Sequence, residues 1–347
     1  MKVTWIAPSN IALVKYWGKY GNQLPKNPSL SFTLKNSVTE LSIETTKSEN
    51  QQKMMSLNFY FDGELNTKFR DKIIIFLNSQ LDRFPWLLNY HLEIHSKNTF
   101  PHSSGIASSA SSMSALCLSL LSLDEMIKGV ALEKSDFFKA ASELSRLASG
   151  SASRSVYGGL VSWGESESIP LSSNEYAQVF LQGHSQFEDF CDSILIVDSG
   201  EKSVSSRAGH GLMENHPYSD IRHKEAFANL EKLIVALKTG DIESFISVVE
   251  EEALTLHALM MTSRPSYILL KPNSLELIEK IRLFRNEKKI PVCFTIDAGP
   301  NIHLLYPKKF KSEVCQWIET ELAHFLVGAR WIHDEVGSGP KLLESTK

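Results

Sequence analysis

Strand-type and helix-type segments come in blocks along this chain, and that ordering limits the fold more than any single motif. Val38 to Thr45, Leu57 to Phe61 and Tyr90 to His95 alternate apolar and polar residues, as half-buried strands do. Asp62-Gly63 follows the second run and suits a hairpin turn. Residues 66–88 carry helical spacing through Ile73, Ile74, Phe76, Leu77 and Leu81. A small-residue helix that becomes leucine-rich is expected over 105–121, a second over 137–147, and a strand over 156–163. A buried-type strand at 193–198 precedes helices at 223–237, 242–261 and 275–286. Strands at 291–296 and 302–306 and a helix at 315–326 complete the pattern. Blocks in place of regular βαβ units argue for an α+β fold. A length of 347 residues accommodates one large or two ordinary domains, and the boundary is placed to give 1–190 and 191–347.

Charge narrows the partners. Thirty-six basic against 40 acidic side chains give a net charge of −4, so bulk electrostatics offer nothing to nucleic acid or a membrane surface. A local anion site is still allowed. Cys117, Cys191, Cys293 and Cys315 are far apart, show no metal-binding spacing, and read as reduced thiols. The longest apolar run, Ile73 to Leu77, falls well short of the roughly 20 residues of a membrane helix. No signal-peptide core follows Met1. A soluble protein of the cytoplasm is expected.

Four segments carry candidate chemistry. In Pro101 to Ser114, seven of 14 residues are serine around Gly105. A loop of this kind opening a helix presents free N–H groups and a positive dipole end to an anion, and its hydroxyls can reach magnesium. A serine-capped, closely packed helix is the alternative; GxxxxGK[ST] and GxGxxG are both absent. Ala7 to Lys19 sets Lys15 and Lys19 around Tyr16 and Trp17, which fits an anion site or a surface helix turn with snorkelling lysines. Ser149 to Ser155 surrounds Arg154 with hydroxyls, either a guanidinium clamp or a solvated turn. Asp297 ends an apolar strand before Gly299-Pro300, as a general base or an Asx turn.

Taken in order, Ala7-Pro8-Ser9-Asn10-Ile11-Ala12, Lys15-Tyr16-Trp17-Gly18-Lys19, Pro101 to Ala110, Ser149 to Ser155, Val204 to Arg207 and Ile296 to Asn301 resemble the diphosphomevalonate decarboxylase family of the GHMP kinase superfamily. The resemblance spans roughly residues 5–303. It implies the GHMP kinase fold: a ribosomal-protein-like N-terminal domain and a ferredoxin-like C-terminal domain, both α+β, with the site in the cleft between them. It also implies ATP and Mg2+, a phosphorylated mevalonate as substrate, and a homodimer. The implied reaction is ATP-dependent decarboxylation of (R)-5-diphosphomevalonate to isopentenyl diphosphate, CO2, ADP and phosphate.

By resemblance, Asp297 deprotonates or orients the 3-hydroxyl, Arg154 holds the carboxylate, and Lys15 stabilises the phosphoryl group in transit. Tyr16, Lys19, Ser149, Ser151, Ser206 and Arg207 match contacts to the substrate diphosphate. Asn98, Ser103, Ser104, Gly105, Ser108 and Ser109 match the nucleotide site, with Ser109 beside the metal. Three places depart from the family pattern: His102-Ser103-Ser104 in the loop, Arg146-Leu147-Ala148 running directly into Ser149, and Tyr20 after Gly18-Lys19. Fewer cations near the phosphate end leave a 5-monophosphate as the alternative substrate. A kinase without decarboxylation is the second alternative, and the joint presence of Asp297, Arg154 and Lys15 argues against it.

Overall fold

The first strand, β1 (Lys2–Val14), is buried along almost its whole length. Pro8, Ser9 and Asn10 disguise it in the sequence. Register shifts between Pro8 and Asn10 and between Ala12 and Val14 show how the ladder accommodates them, since a bulge tolerates a residue without an N–H. The surface-helix alternative for Ala7 to Lys19 is therefore corrected: strand passes into loop, and Lys15 is 1% exposed. The structure is a computed structural model and describes residues 1–48, 54–100, 108–200 and 204–347.

β1 lies between the Lys341–Thr346 strand and the long Ser29–Lys47 strand, followed outward by Tyr90–Asn98, Ser56–Phe61 and Glu64–Leu65. The short Leu160–Trp163 strand pairs with the start of Ser29–Lys47. Only Ser56–Phe61 and Tyr90–Asn98 pair in parallel among the described strands, and helix α1 (Thr67–Asn78) lies in the connection that parallel pairing demands. Asp62 and Gly63 take φ of 50° and 84°, the two left-handed residues of the expected hairpin turn. The helix expected over 66–88 ends at Asn78, and Pro85 opens a separate 3₁₀ turn, Pro85–Asn89.

Helices α2 (Ser108–Lys128) and α3 (Lys134–Ala148) join the core of this sheet. By length and composition α2 could cross a membrane, contrary to expectation, yet 78% of its apolar window is buried inside the protein. The strand expected over 156–163 is shorter, because Gly150–Val156 coils into a 3₁₀ turn. After the six-residue α4 (Ser206–Gly211) come α5 (Ser219–Thr239), α6 (Ile242–Thr262) and α7 (Pro272–Lys288).

The second sheet is antiparallel, ordered Cys293–Thr295, Ile302–Pro307, Phe190–Leu195, Trp331–Glu335. Alternate residues of Phe190–Leu195 separate two cores. Phe190 and Ile194 pack with α5 and α6, whereas Cys191 and Leu195 pack with α7 and the segment after Val314. That segment is not one helix over 315–326 but Lys311–Trp317, a π-turn Ile318–Leu322 and a 3₁₀ turn Ala323–Phe325. All four cysteines are free. Ile11, Leu13, Leu30 and Phe32 of the first sheet share the α5–α6 core, so one apolar cluster belongs to both halves.

Polar stitches reinforce that join. The buried Asp334 carboxylate accepts from the main-chain N–H groups of Lys35, Asn36 and Ser37 at 2.8, 2.8 and 2.7 Å. Nearby, Gly337 donates to Thr33 O and accepts from Gly159 N, both at 2.8 Å. A Cβ on Gly158 would lie 2.2 Å from the carbonyl carbon of Ser338, against backbone that cannot swing away. Gly158→Ala is therefore expected to destabilise the fold by about 1–3 kcal/mol, read as a lower urea midpoint with an unchanged m-value.

Candidate functional site

The end of β1 and the loop after it, the Gly150–Val156 turn, the start of α2, α4 and the loop after Cys293–Thr295 converge on one cavity of about 690 Å³. Lys15, Tyr16, Lys19, Ser109, Ser149, Ser151, Arg154, Ser206, Arg207 and Asp297, all singled out from the sequence, line its wall. Ser108 lies in the first turn of α2 but off that wall. Asn98 is also off it: the Asn98 carboxamide accepts from the Thr39 hydroxyl at 2.8 Å, which ties two strands together. Ser103, Ser104, Gly105 and His102 lie outside the described residues.

Lys15 and Asp297 meet across the two sheets. Lys15 Nζ donates to Asp297 Oδ1 at 2.7 Å, with the lysine side chain 2% exposed and the aspartate 25%. Burial pulls the Lys15 pKa below its ordinary value, and Asp297 and Glu252 offset part of that pull. Asp297 is aimed by its surroundings. His257 Nε2 contacts its carbonyl oxygen at 3.1 Å, and Asn301 Oδ1 accepts from Val197 and Asp198 N–H at 2.7 and 3.0 Å.

Arg154 is the second buried cation, 2% exposed. Its Nε donates to Asn10 Oδ1 at 3.2 Å and one terminal nitrogen to Ser29 Oγ at 2.6 Å, while the guanidinium lies over the Trp163 ring. Burial lowers its pKa to about 10, with Asp297 opposing. Among the described residues no carboxylate lies at salt-bridge distance from Arg154. Two buried cations thus share one aspartate at the cavity wall, and that imbalance suits an anionic ligand.

Several wall residues escaped the sequence reading. His210 packs against Tyr16 and Trp17 with its ring tilted to both, centroids 4.4 and 4.5 Å apart. Its Nδ1 accepts from Gly18 N–H at 3.1 Å, which places the ring proton on Nε2. Burial, and then the nearby Lys19, push its pKa down to about 3. Nothing local marks this histidine, since it sits in a six-residue helix between two glycines. Arg146, in contrast, is spent on structure: it donates to the carbonyl oxygens of Glu175, at 2.7 Å, and Asn22. Lys19 Nζ donates to Gln23 at 2.8 Å, and Arg207 is exposed.

The His210 ring is expected to stay neutral as pH falls from 8 to 5, whereas an unfolded imidazole protonates near 6.5. The stability this provides is present above about pH 6.5 and declines as pH drops toward 3. Imidazole NMR titration tests it: a His210 resonance titrating near pH 6.5 in the folded protein would refute the assignment.

Known proteins resemble this chain in sequence and in fold. A family model described as the diphosphomevalonate decarboxylase-like N-terminal domain matches residues 7–177, and one described as the mevalonate 5-diphosphate decarboxylase C-terminal domain matches residues 193–336. The chain is 30% identical over 336 residues to the diphosphomevalonate decarboxylase of Ganoderma lucidum, covering 91% of this chain and 81% of that one. The mevalonate diphosphate decarboxylase of Staphylococcus aureus superposes with a TM-score of 0.84 at 29% identity, covering 99% and 98% of the two chains. A solved structure described as MDDEF in complex with MVAPP, AMPPCP and magnesium gives a TM-score of 0.83 at 28% identity, with 99% of each chain covered.

Proposed function

This chain belongs to the diphosphomevalonate decarboxylase family, and we propose that its cavity performs the ATP-dependent decarboxylation of 5-diphosphomevalonate through Asp297, Lys15 and Arg154. The substrate carries a tertiary 3-hydroxyl β to a carboxylate. Hydroxide leaves poorly, so the hydroxyl oxygen is first phosphorylated by ATP. Phosphate departs with the C–O electron pair, and the C–CO2 bond supplies the pair that closes the alkene. The products are isopentenyl diphosphate, CO2, ADP and phosphate.

Each residue has a task set by its place. Asp297, the carboxylate on the wall, orients the 3-hydroxyl and takes its proton. Lys15, 2.7 Å from that carboxylate, sits where negative charge develops on the phosphoryl group in transit. Arg154 holds the substrate carboxylate, and the observation that carries the reading is that, among the described residues, no carboxylate lies at salt-bridge distance from this buried guanidinium. Tyr16, Lys19, Ser149, Ser151, Ser206 and Arg207 receive the substrate diphosphate, with His210 adding a neutral Nε2–H donor. The nucleotide phosphates fall to the Ser103–Ser109 stretch.

The wall also fits magnesium. Ser109 is an exposed hydroxyl in the first turn of α2 on this wall, a hard oxygen donor of the kind this ion prefers beside phosphate oxygens. When bound, it neutralises phosphate charge. A cytoplasmic homodimer with no nucleic-acid or membrane partner belongs to the same proposal, as does a division at residues 190/191, across which Phe190 joins the second sheet and the Lys341–Thr346 strand returns to the first.

The test offers mevalonate, 5-phosphomevalonate and 5-diphosphomevalonate with ATP and magnesium, following ADP and CO2 in parallel. CO2 and ADP in equal amounts from the diphosphate are expected; ADP without CO2 would reject decarboxylation, and CO2 from the monophosphate alone would reassign the substrate. Asp297→Asn should lower kcat roughly 10²- to 10⁴-fold with substrate binding largely kept, and near-normal turnover would remove Asp297 from its role. Arg154→Ala should lower kcat/KM roughly 10²- to 10³-fold; unchanged kinetics would count against carboxylate recognition.

A further inference from the structure

Lys15 is held at its main chain as firmly as at its ammonium. Its N–H donates to Glu252 Oε2 at 2.8 Å, and its carbonyl accepts from Asn27 Nδ2 at 3.0 Å and from Arg222 at 3.2 Å. Arg222 on α5 and Glu252 on α6 form a bidentate pair with both bonds at 2.7 Å, 1% and 0% exposed. Asn229 Nδ2 donates to Glu252 Oε1 at 2.9 Å. Neither Arg222 nor Glu252 lies on the cavity wall.

A buried Arg–Glu pair is an expensive way to fill a core, because apolar residues of similar volume commonly do as well or better. Here the pair is also imperfect, since the buried Arg222 Nε has no hydrogen-bond partner among the described residues. Packing alone does not account for it. What the pair does achieve is to fix both main-chain polar groups of one residue where β1 runs out and no ladder holds it. We propose that Glu252 and Arg222 are positioning residues, a clamp carried by α5 and α6 that fixes the Lys15 backbone so that its ammonium reaches the transferring phosphoryl group.

The clamp rests on the reading that Lys15 acts in the reaction. Charge supports it as well as geometry. Lys15 is faced by Asp297 from the loop after Cys293–Thr295, Glu252 from α6, Arg154 from the Gly150–Val156 turn and Arg222 from α5. Burial lowers the Lys15 pKa, the two carboxylates raise it, and Arg154 lowers it. Burial alone would raise Glu252, but the Arg222 bond and charge, Asn229 and the Lys15 N–H outweigh it and hold Glu252 below the usual range.

Two variants of the full-length protein test this with ATP, magnesium and 5-diphosphomevalonate. Glu252→Gln should lower kcat at least tenfold with both KM values within twofold. It should also move the alkaline limb of the kcat profile to lower pH, because a charge supporting the Lys15 ammonium is gone. Arg222→Met/Glu252→Leu removes the buried charges together and should match or exceed the single variant in urea midpoint, yet keep kcat low. Wild-type kcat in the double variant, or Glu252→Gln within twofold of wild type, would overturn the clamp and leave the pair a purely structural contact. If Glu252→Gln does not fold, the double variant decides. An inactive wild type would sink the reading of the reaction instead. The clamp would then stand or fall on lysine NMR, where Glu252→Gln must lower the Lys15 titration midpoint and an unmoved midpoint refutes it.

Discussion

An ammonium group that is almost wholly out of water governs this molecule. Lys15 gives up its hydration, and the protein must compensate with charge and hydrogen bonds brought from elsewhere. The compensating carboxylate, Asp297, comes from the far end of the sequence and the other sheet. An ion pair of this kind is worth having only when its geometry is tightly kept. The shared apolar core beneath it, the Asp334 stitches and the Gly337 backbone bonds are what keep it. The two halves are therefore one electrostatic unit.

Net charge says nothing of this. The chain as a whole is slightly acidic, while the cavity presents Lys15, Lys19, Lys72, Arg154 and Arg207 with Asp297 as the carboxylate on the wall. Positive charge is concentrated at this one wall, and hydroxyls and a neutral imidazole add further donors. A strongly basic exterior is unnecessary because desolvated cations act at short range. Arg146 illustrates the economy: a cation that might have joined the site instead anchors two backbone carbonyls.

The sequence disclosed the fold class and the segments that line the cavity, but not the individual strands and contacts. Lys15, Arg154 and Asp297 sit in short segments that each allowed a bland local reading; it was their order along the chain that singled them out, and the structure brings them to one cavity. β1 was obscure because its polar and proline positions are paired through bulges that no periodicity records. Glu252 was invisible for another reason. It follows two other glutamates on α6, of which Glu250 pairs with Arg285 and Glu251 bonds Asn229. Only packing decides which of three neighbours turns toward Lys15. Arg222 and His210 are similar, ordinary residues in helices until α5 and α4 are placed against the strand end.

The serines of α2 acquire a mechanical meaning from where they lie. Ser111, Ser112 and Ser114 are buried, and the Ser114 hydroxyl shares its one proton between Ala110 O at 2.7 Å and Ala152 O at 2.8 Å, the latter within the turn that carries Arg154. The same helix begins at the wall with Ser109. Its small-residue flank thus sets how closely the helix that carries Ser109 approaches the turn that carries Arg154. The thickness of a hydroxymethyl group sets that distance. Bulk added along the flank would widen the gap, so tolerance to substitution along α2 should follow distance calibration more than hydrophobicity.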